Sequence, residues 1–322
     1  MKIHINLMDK SMIPFTVTEK TALTKRISAF TLQPADGARP LGWAAGAHVD
    51  VDLGEVGARS YSLISWPGVD TNCYRIAVQR EENGTGGSAA MHALSVGATV
   101  PISAPKNSFA LEDTDDPVAL IAGGIGITPL ISMATELLQA GRLFVLHYAG
   151  RSAEVVAYEP ELAQMLGDRL ISHFDDTTPL DLPATLAILT DHRLYVCGPR
   201  GMIDATRIAA EAADIPGSRV HLELFASPDA DGDDAAFEVE ISSTGNVYTV
   251  PPNVSIIEAL EAEGVDLMYD CQRGDCGICQ VDVLDGTPDH RDVVLSDAEK
   301  QSGKVMQICV SRALSKRLVL DI

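Results

Sequence analysis

The rhythm of apolar and polar positions changes three times along the chain. From Phe15 to about Ser108, Val49 and Val51, Tyr61 and Leu63, and Ile76 and Val78 alternate with polar or small neighbours. That is the period of half-buried strands, and Gly, Pro and Asn break the runs. Strands at this spacing predict a small antiparallel β-barrel over residues 1–112, interrupted by a short helix from about Ser88 to Leu94. Past Glu112-Asp-Thr-Asp-Asp-Pro117, Val118 to Ala122 form a continuous apolar run, as a buried parallel strand does. A helix follows to about Ala140, with Leu130, Met133, Ala134, Leu137 and Leu138 on one face, Thr128 as N-cap and Pro129 as first helical residue. Further strands are expected at 143–148, 170–174, 194–197 and 220–225, with helical stretches between them and a helix over 201–213. The alternation predicts an α/β doubly wound parallel sheet over 113–226.

The third rhythm occupies 237–322. Phe237, Val239 and Ile241 alternate, Tyr248 and Val250 suggest a hairpin partner, and Ser255-Ile-Ile-Glu258 reads as a capping box heading a helix that stops at Gly264. Strands are expected at 278–284, at 305–310 with Cys309 on it, and at 318–322. Residues 227–236 are expected to be a linker. Four aspartates in Ser227-Pro-Asp-Ala-Asp-Gly-Asp-Asp-Ala235 resemble a calcium loop, but Asp234 stands where that loop needs glycine, so a solvated hinge is preferred.

Composition narrows the function. The 322 residues carry 46% hydrophobic and 21% charged residues, a globular balance that suits two or three domains. A net charge of −21 disfavours nucleic acid and anionic membranes as partners. Met1 to Lys10 lack the apolar run of a signal peptide and no stretch is long enough for a membrane span, so a cytoplasmic enzyme with reduced thiols is expected.

Four of the six cysteines then stand out, in Cys271-Gln-Arg-Gly-Asp-Cys276-Gly-Ile-Cys279 and at Cys309. C-x4-C-x2-C…C is the plant-type spacing of a [2Fe-2S] cluster held by four thiolates. A structural zinc site or disulfides are the alternatives, although zinc more often uses paired C-x2-C knuckles. In the barrel, Arg59, Ser60, Tyr61 and Ser62 put a cation, an aromatic ring and hydroxyls on one strand, suited to a long ligand with a phosphate and a ring. Gly86, Gly87 and Ser88 open a helix whose free N–H groups favour an anion. Either stretch has an ordinary reading, as a strand composition and as a capped loop. At the carboxyl edge of the parallel sheet, where such sheets bind ligands, lie Gly123, Gly124 and Gly126, then Gly150, Arg151 and Ser152, then Cys197, Gly198 and Pro199. The first group is not G-x-G-x-x-G; its glycines either admit a pyrophosphate or serve a tight strand-to-helix turn.

In this order, Arg59-Ser-Tyr-Ser62, Gly86-Gly-Ser88, Gly123-Gly-Ile-Gly-Ile-Thr-Pro129, Cys197-Gly-Pro199 and the four cysteines resemble the phthalate dioxygenase reductase family, the iron–sulfur flavoprotein reductases of Rieske-type oxygenases. The resemblance covers nearly the whole chain. It implies FMN in the barrel, NADH on the central sheet and the cluster in a C-terminal ferredoxin-like (β-grasp) α+β domain, with a terminal Rieske-type oxygenase or demethylase as partner and a monomeric state. It implies that Arg59, Gly87 and Ser88 hold the flavin phosphate, that Tyr61 packs on the ring with Ser62 near its N5, and that Ala77 and Val78 offer backbone groups. Thr128, Pro129, Cys197, Gly198 and Pro199 would shape the nicotinamide pocket and Phe225 would shield the flavin. Ser62, Cys197 and Phe225 would thus stand at the reacting atoms. The resemblance implies that hydride would pass from nicotinamide to flavin and electrons singly to a cluster at about −400 mV, low enough for a Rieske centre. Arg273 and the cysteine-loop rim would be the docking surface.

Many relatives carry a basic residue where this chain has Thr85, so Arg80 is a substitute and FAD a second choice of flavin. Arg151 and Ser152 suit the 2′-phosphate of NADPH, whereas Asp175 and Asp176 repel it. A cytochrome P450 or a separate ferredoxin as acceptor, and a non-catalytic redox sensor, are the rival readings.

Overall fold

The computed structural model describes residues 12–69, 72–82, 84–225 and 234–322. Met1 to Lys10 and most of the expected linker, with the calcium-loop alternative, lie outside the described residues. The contacts divide the chain into two compact units, one ending at His221 and one beginning at Leu222.

The first unit starts with β1 (Ile13–Ala22), β2 (Ile27–Pro34), β3 (His48–Asp52), β4 (Ala58–Ser62), β5 (Tyr74–Gln79), α1 (Gly87–Ala93) and β6 (Thr99–Ile102). The six strands form one sheet in the order β4-β3-β6-β1-β2-β5, with each neighbouring pair antiparallel. Alternate residues fill its core: Phe15 and Val17, Phe30 and Leu32, Val49 and Val51, Ile76 and Val78. The period-two pattern works because one face of each strand turns inward.

The parallel sheet follows, with β7 (Val118–Gly123), α2 (Ile127–Gln139), β8 (Phe144–Gly150), α3 (Glu159–Leu166), β9 (Leu170–Phe174), α4 (Leu182–Ala187), β10 (Arg193–Cys197), α5 (Arg200–Ala212) and β11 (Val220–Glu223). Its order is β11-β10-β7-β8-β9, and β7 pairs in parallel with both β10 and β8. Every residue of β7 is buried. α2 differs from a helix with one apolar face: Ile127 to Thr135 are all buried, because the helix lies between the sheet and the barrel. Ile27, Ala45, Ile64, Ala77 and Phe109 share a core with α2 and the parallel sheet.

Thr128 is not the N-cap. A 3₁₀ turn over Gly124–Gly126 runs directly into α2, Gly126 takes the capping position with helical dihedrals, and the Thr128 hydroxyl donates to the Ile125 carbonyl (3.1 Å). Pro129 is therefore the third helical residue, where its missing N–H is still harmless.

The second unit holds β12 (Phe237–Ile241), β13 (Val247–Val250), α6 (Ile256–Ala262), β14 (Gln280–Asp285), β15 (Pro288–Asp289), α7 (Asp297–Ser302), β16 (Val305–Gln307), β17 (Arg312–Ala313) and β18 (Arg317–Asp321). Its mixed sheet runs β13-β12-β18-β14-β16, with β12 and β18 parallel. The capping box is present, with the Ser255 Oγ accepting from the Glu258 N–H (3.1 Å) and Glu258 Oε2 from the Ser255 N–H (2.8 Å). Cys309 is not on a strand. Pairing ends at Gln307, and residues 308–310 turn away from the ladder. Asp234 is gripped by Arg291 (2.6 Å) and Arg312 (3.3 Å), so this acid is anchored at the start of the sheet domain rather than solvated. Among the described residues no helix is long and apolar enough to cross a membrane.

Candidate functional site

In the second unit, the cysteine loop joins α6 to β14. Gly274 adopts φ +81°, and a Cβ there would fall 2.6 Å from Val310 Cγ2 and 3.1 Å from Asp292 Cα. Only glycine lets the loop press so closely on residues 292 and 310, and that contact brings the turn carrying Cys309 against it. The Cys271 sulfur is in hydrogen-bond contact with Cys276 and Cys309, and Cys279 with Cys309. Hydrogen bonds from Cys276 first, then Cys309, hold Cys271 below the usual thiol range, and Cys309 lowers Cys279 likewise. The donors Cys276 and Cys309 are pushed up in return. Among the described residues, no three His, Cys, Asp or Glu side chains enclose a single ion. Four thiols linked by these three contacts fit a binuclear cluster held by Cys₄.

Around the sulfurs the backbone and side chains supply donors and charge that sequence reasoning missed. The Arg273 N–H donates to Cys271 Sγ (3.3 Å), and Cys279 Sγ lies 3.4 Å from Oε1 of fully buried Gln307. Arg273 itself corrects an expectation. Its side chain is 12% exposed and paired with Glu223 (3.8 Å) and Asp275 (3.5 Å), so it is spent inside the unit rather than offered to a partner. Burial pushes Asp275 up to about 7 against the pull of Arg273, and its Oδ2 accepts from the Leu224 N–H (2.7 Å). No spacing rule marks Glu223, Asp275, Asp292 or Gln307, because they meet the loop only through the fold.

In the first unit, β4 is an edge strand and its side chains divide between two directions. Arg59 and Tyr61 are half-buried, whereas the Ser60 hydroxyl donates to Asp50 Oδ1 (2.6 Å), which also holds Lys106 (2.8 Å). Ser60 therefore does not join Arg59 with its side chain. Arg59 lies across the start of α1: a Cβ on Gly87 would come 2.6 Å from its Cγ and 2.7 Å from its Nε. Its guanidinium donates to the Ala58 carbonyl (2.7 Å) and the Thr85 hydroxyl (2.9 Å), neither of which neutralises it. A cation held by uncharged partners at a glycine-lined helix start fits a phosphate. Ser88 lies inside α1 and its Oγ accepts from the Glu81 N–H (2.9 Å), which leaves Gly86 as the cap. Burial pushes Tyr61 up to about 12, so it stays neutral, and Ser62 is buried beside it. Ala77 and Val78 point into cores, leaving only backbone to a ligand, and the Val78 carbonyl already has His92 Nε2 at 2.9 Å.

The loops at the carboxyl edge of the parallel sheet come together around glycines that perform different tasks. A Cβ on Gly126 would meet the Cys197 carbonyl oxygen at 2.2 Å, and one on Gly123 would meet Pro199 Cδ at 2.7 Å. These two, with Gly198 against Gly123, are sites of backbone contact between β7–α2 and β10–α5. On Gly150 a Cβ would strike Val156. Gly124 alone of the β7 group, at φ +55° with nothing within 4 Å, faces open space. The starts of α2 and α5 stand side by side there, as Cys197 pairs with Ala122. Arg151, Asp175 and Asp176 are exposed and Ser152 is half-buried; the Asp175 N–H donates to the Gly150 carbonyl (3.0 Å), so these outer residues are neighbours. Phe225, beyond β11, is 41% exposed.

Residues 239–314 match the profile of the 2Fe-2S iron-sulfur cluster binding domain and residues 120–207 that of the oxidoreductase NAD-binding domain. The chain is 41% identical to tetrachlorobenzoquinone reductase of Sphingobium chlorophenolicum, over 97% of this chain and 98% of that one. It is 38% identical to the carnitine monooxygenase reductase subunit of Escherichia coli (strain K12), over 98% of this chain and 100% of that one. Among solved structures it superposes on phthalate dioxygenase reductase, described as a modular structure for electron transfer from pyridine nucleotides to [2Fe-2S], with TM-score 0.72, 34% identity and coverage of 97% and 98%. It also matches an intact type IV self-sufficient cytochrome P450 monooxygenase (TM-score 0.73, 35% identity, 97% of this chain), of which it spans only 41%.

Proposed function

Since the chain belongs to the phthalate dioxygenase reductase-like family of iron–sulfur flavoprotein reductases, we propose that it is the reductase component of a multicomponent Rieske-type oxygenase or demethylase. It takes electrons from NADH through FMN to a [2Fe-2S] cluster and on to the oxygenase. The observation that carries this reading is the convergence of Cys271, Cys276, Cys279 and Cys309 in one loop-and-turn contact. When bound, the flavin converts a two-electron hydride into single electrons and the cluster delivers them.

The chain's own residues bind, orient and shield. Arg59, with Gly87 leaving room for its side chain, holds the flavin phosphate; Tyr61 and Ser62 line the ring. The open backbone at Gly124 and the paired starts of α2 and α5 receive the dinucleotide. FMN is favoured over FAD because one phosphate site at α1 accounts for the cation present. NADH is favoured over NADPH because Asp175 and Asp176 stand beside Arg151 and would repel a 2′-phosphate.

The partner is expected to present a basic face. Residues 222–322 hold 20 of the 45 Asp and Glu residues but 7 of the 24 Lys and Arg. Five of those seven, Arg273, Arg291, Lys300, Arg312 and Arg317, are paired with acids of the same unit. The likeness to a self-sufficient P450 supports a second reading, with a P450 as acceptor.

The test is anaerobic. The purified protein should show flavin and cluster absorption, release FMN on heating and bleach on adding NADH. Cys276→Ser should keep the bleaching and lose cytochrome c reduction. Stoichiometric zinc without colour sinks the assignment, and pigments indifferent to NADH favour the redox sensor.

A further inference from the structure

The polar side chains that hold α2 to the barrel join the two halves of the first unit. Ser132 is 1% exposed and uses its hydroxyl twice: Oγ donates to the Leu63 carbonyl (2.8 Å) and accepts from the Ser65 N–H (3.0 Å). Thr135, 4% exposed, donates from Oγ1 to the Ser65 carbonyl (2.9 Å). Glu136 Oε2 accepts from the Ala45 N–H (3.4 Å). Positions 132, 135 and 136 share one helix face at i, i+3 and i+4.

Residues 63–65 continue directly from β4, the strand of Arg59, Tyr61 and Ser62. Leu63 and Ile64 still donate to the Ala47 and Arg75 carbonyls (both 2.8 Å), but at Ser65 the two hydroxyls of α2 replace a neighbouring strand. At its start the same helix is locked to Cys197 and Gly198 through Gly126. One buried helix is thus tied at its side to the flavin strand and at its head to the nucleotide loops, through backbone at both places. A buried alanine or leucine would suit the packing here. The hydroxyls instead fix the depth and rotation of the helix, since a hydrogen bond tolerates little change in distance or angle.

We propose that Ser132 and Thr135 are positioning residues for hydride transfer, setting the separation between the nicotinamide pocket and the flavin strand. This rests on the reductase reading. In the step concerned, the nicotinamide C4–H bond breaks and its hydrogen and electron pair go to the flavin, so the nicotinamide is oxidised as the flavin is reduced. A shift of 1 Å in such a geometry costs about 10²-fold in rate.

The test is stopped-flow reduction of the flavin in holoenzyme by NADH, and by NADH deuterated at the transferred position. At saturating NADH, Ser132→Ala should slow reduction about tenfold or more, with a larger isotope effect and a weaker nicotinamide–flavin charge-transfer band. Flavin content and NADH affinity should stay within twofold. Thr135→Val should behave alike, and Thr135→Ser, which keeps the hydroxyl, should restore the rate. Ile131→Val, a volume change on the same turn, serves as control. A Ser132→Ala rate within twofold of the parent overturns the inference, as does an equal loss in the control or a loss of flavin in place of rate. A parent that NADH does not bleach overturns the reductase reading and this inference with it; normal bleaching beside an unimpaired Ser132→Ala overturns the inference alone.

Discussion

Gly87→Ala is expected to weaken flavin binding while leaving the apoprotein about as stable as before. Gly87 is the first residue of α1 and has no left-handed backbone, so alanine there gains about 0.5–1 kcal/mol by restricting the unfolded chain. The new Cβ, however, lands 2.6–2.9 Å from Cγ, Nε and Cδ of Arg59, and that flexible side chain must swing aside. Moving it breaks bonds to Thr85 and Ala58, both solvent-exposed and so each worth only about 0.5 kcal/mol, which leaves the apoprotein balance near zero. The phosphate then loses a charge-assisted contact worth about 1.5–3 kcal/mol, or roughly 10- to 150-fold in Kd. Fluorescence titration of apoprotein with FMN gives the Kd, and thermal melting without flavin gives the stability. An unchanged Kd in Gly87→Ala, with Arg59→Ala equally indifferent, would refute the placement of the phosphate at Arg59. A large drop in melting temperature would refute the claim that the glycine serves the ligand rather than the helix.

Burial first, then the neighbouring His173 and His192, depresses His147 to about 4, and His147 Nδ1 lies 3.0 Å from His173 Nε2. The unfolded chain takes up this proton near pH 6.5 and the fold resists it until about pH 4, so the stability tied to His147 is lost as pH falls across that window. From pH 7 to pH 5 the loss should be about 1–2 kcal/mol, and His147→Gln should flatten that part of the urea-midpoint profile; parallel profiles would contradict it. Gly126→Ala forces a Cβ onto the Cys197 carbonyl, where backbone cannot swing away. It should cost about 1–3 kcal/mol and weaken NADH binding, and a variant with parental melting and NADH affinity would contradict the packing argument.

What could be read from the sequence was whatever a short stretch dictates by itself. The run from Val118 to Ala122 is buried on both sides wherever it sits, so its pattern announces a central strand. Ser255 and Glu258 cap a helix with atoms three residues apart, and the cysteine spacing is a property of one loop. The fold supplied what depends on distant neighbours. Thr128 lost its expected capping role because Gly124–Gly126 wind into a turn that starts the helix earlier. Arg273 looked free because Glu223, which pairs with it, is fifty residues away in sequence. Nothing in the sequence marks Ser132 and Thr135, because their partners, residues 63–65, lie about seventy positions away. Among the glycines, the pattern alone does not distinguish Gly126, squeezed by Cys197, from Gly124, open to a ligand.

The lock between Gly126 and Cys197–Gly198 has a consequence for nucleotide choice. Because β7–α2 and β10–α5 touch through backbone, neither loop can yield to a visitor without displacing the other, and the inner part of the cleft is a rigid mould. Little ordering is required when a dinucleotide enters, which favours affinity but gives this region scant means of telling one coenzyme from its phosphorylated twin. On the proposed placement of the dinucleotide, discrimination falls to the periphery, where Arg151, Ser152, Asp175 and Asp176 stand at the sheet's outer edge. Evolution of coenzyme preference in this protein can therefore proceed by exchanging a few surface charges, with the hydride geometry left untouched.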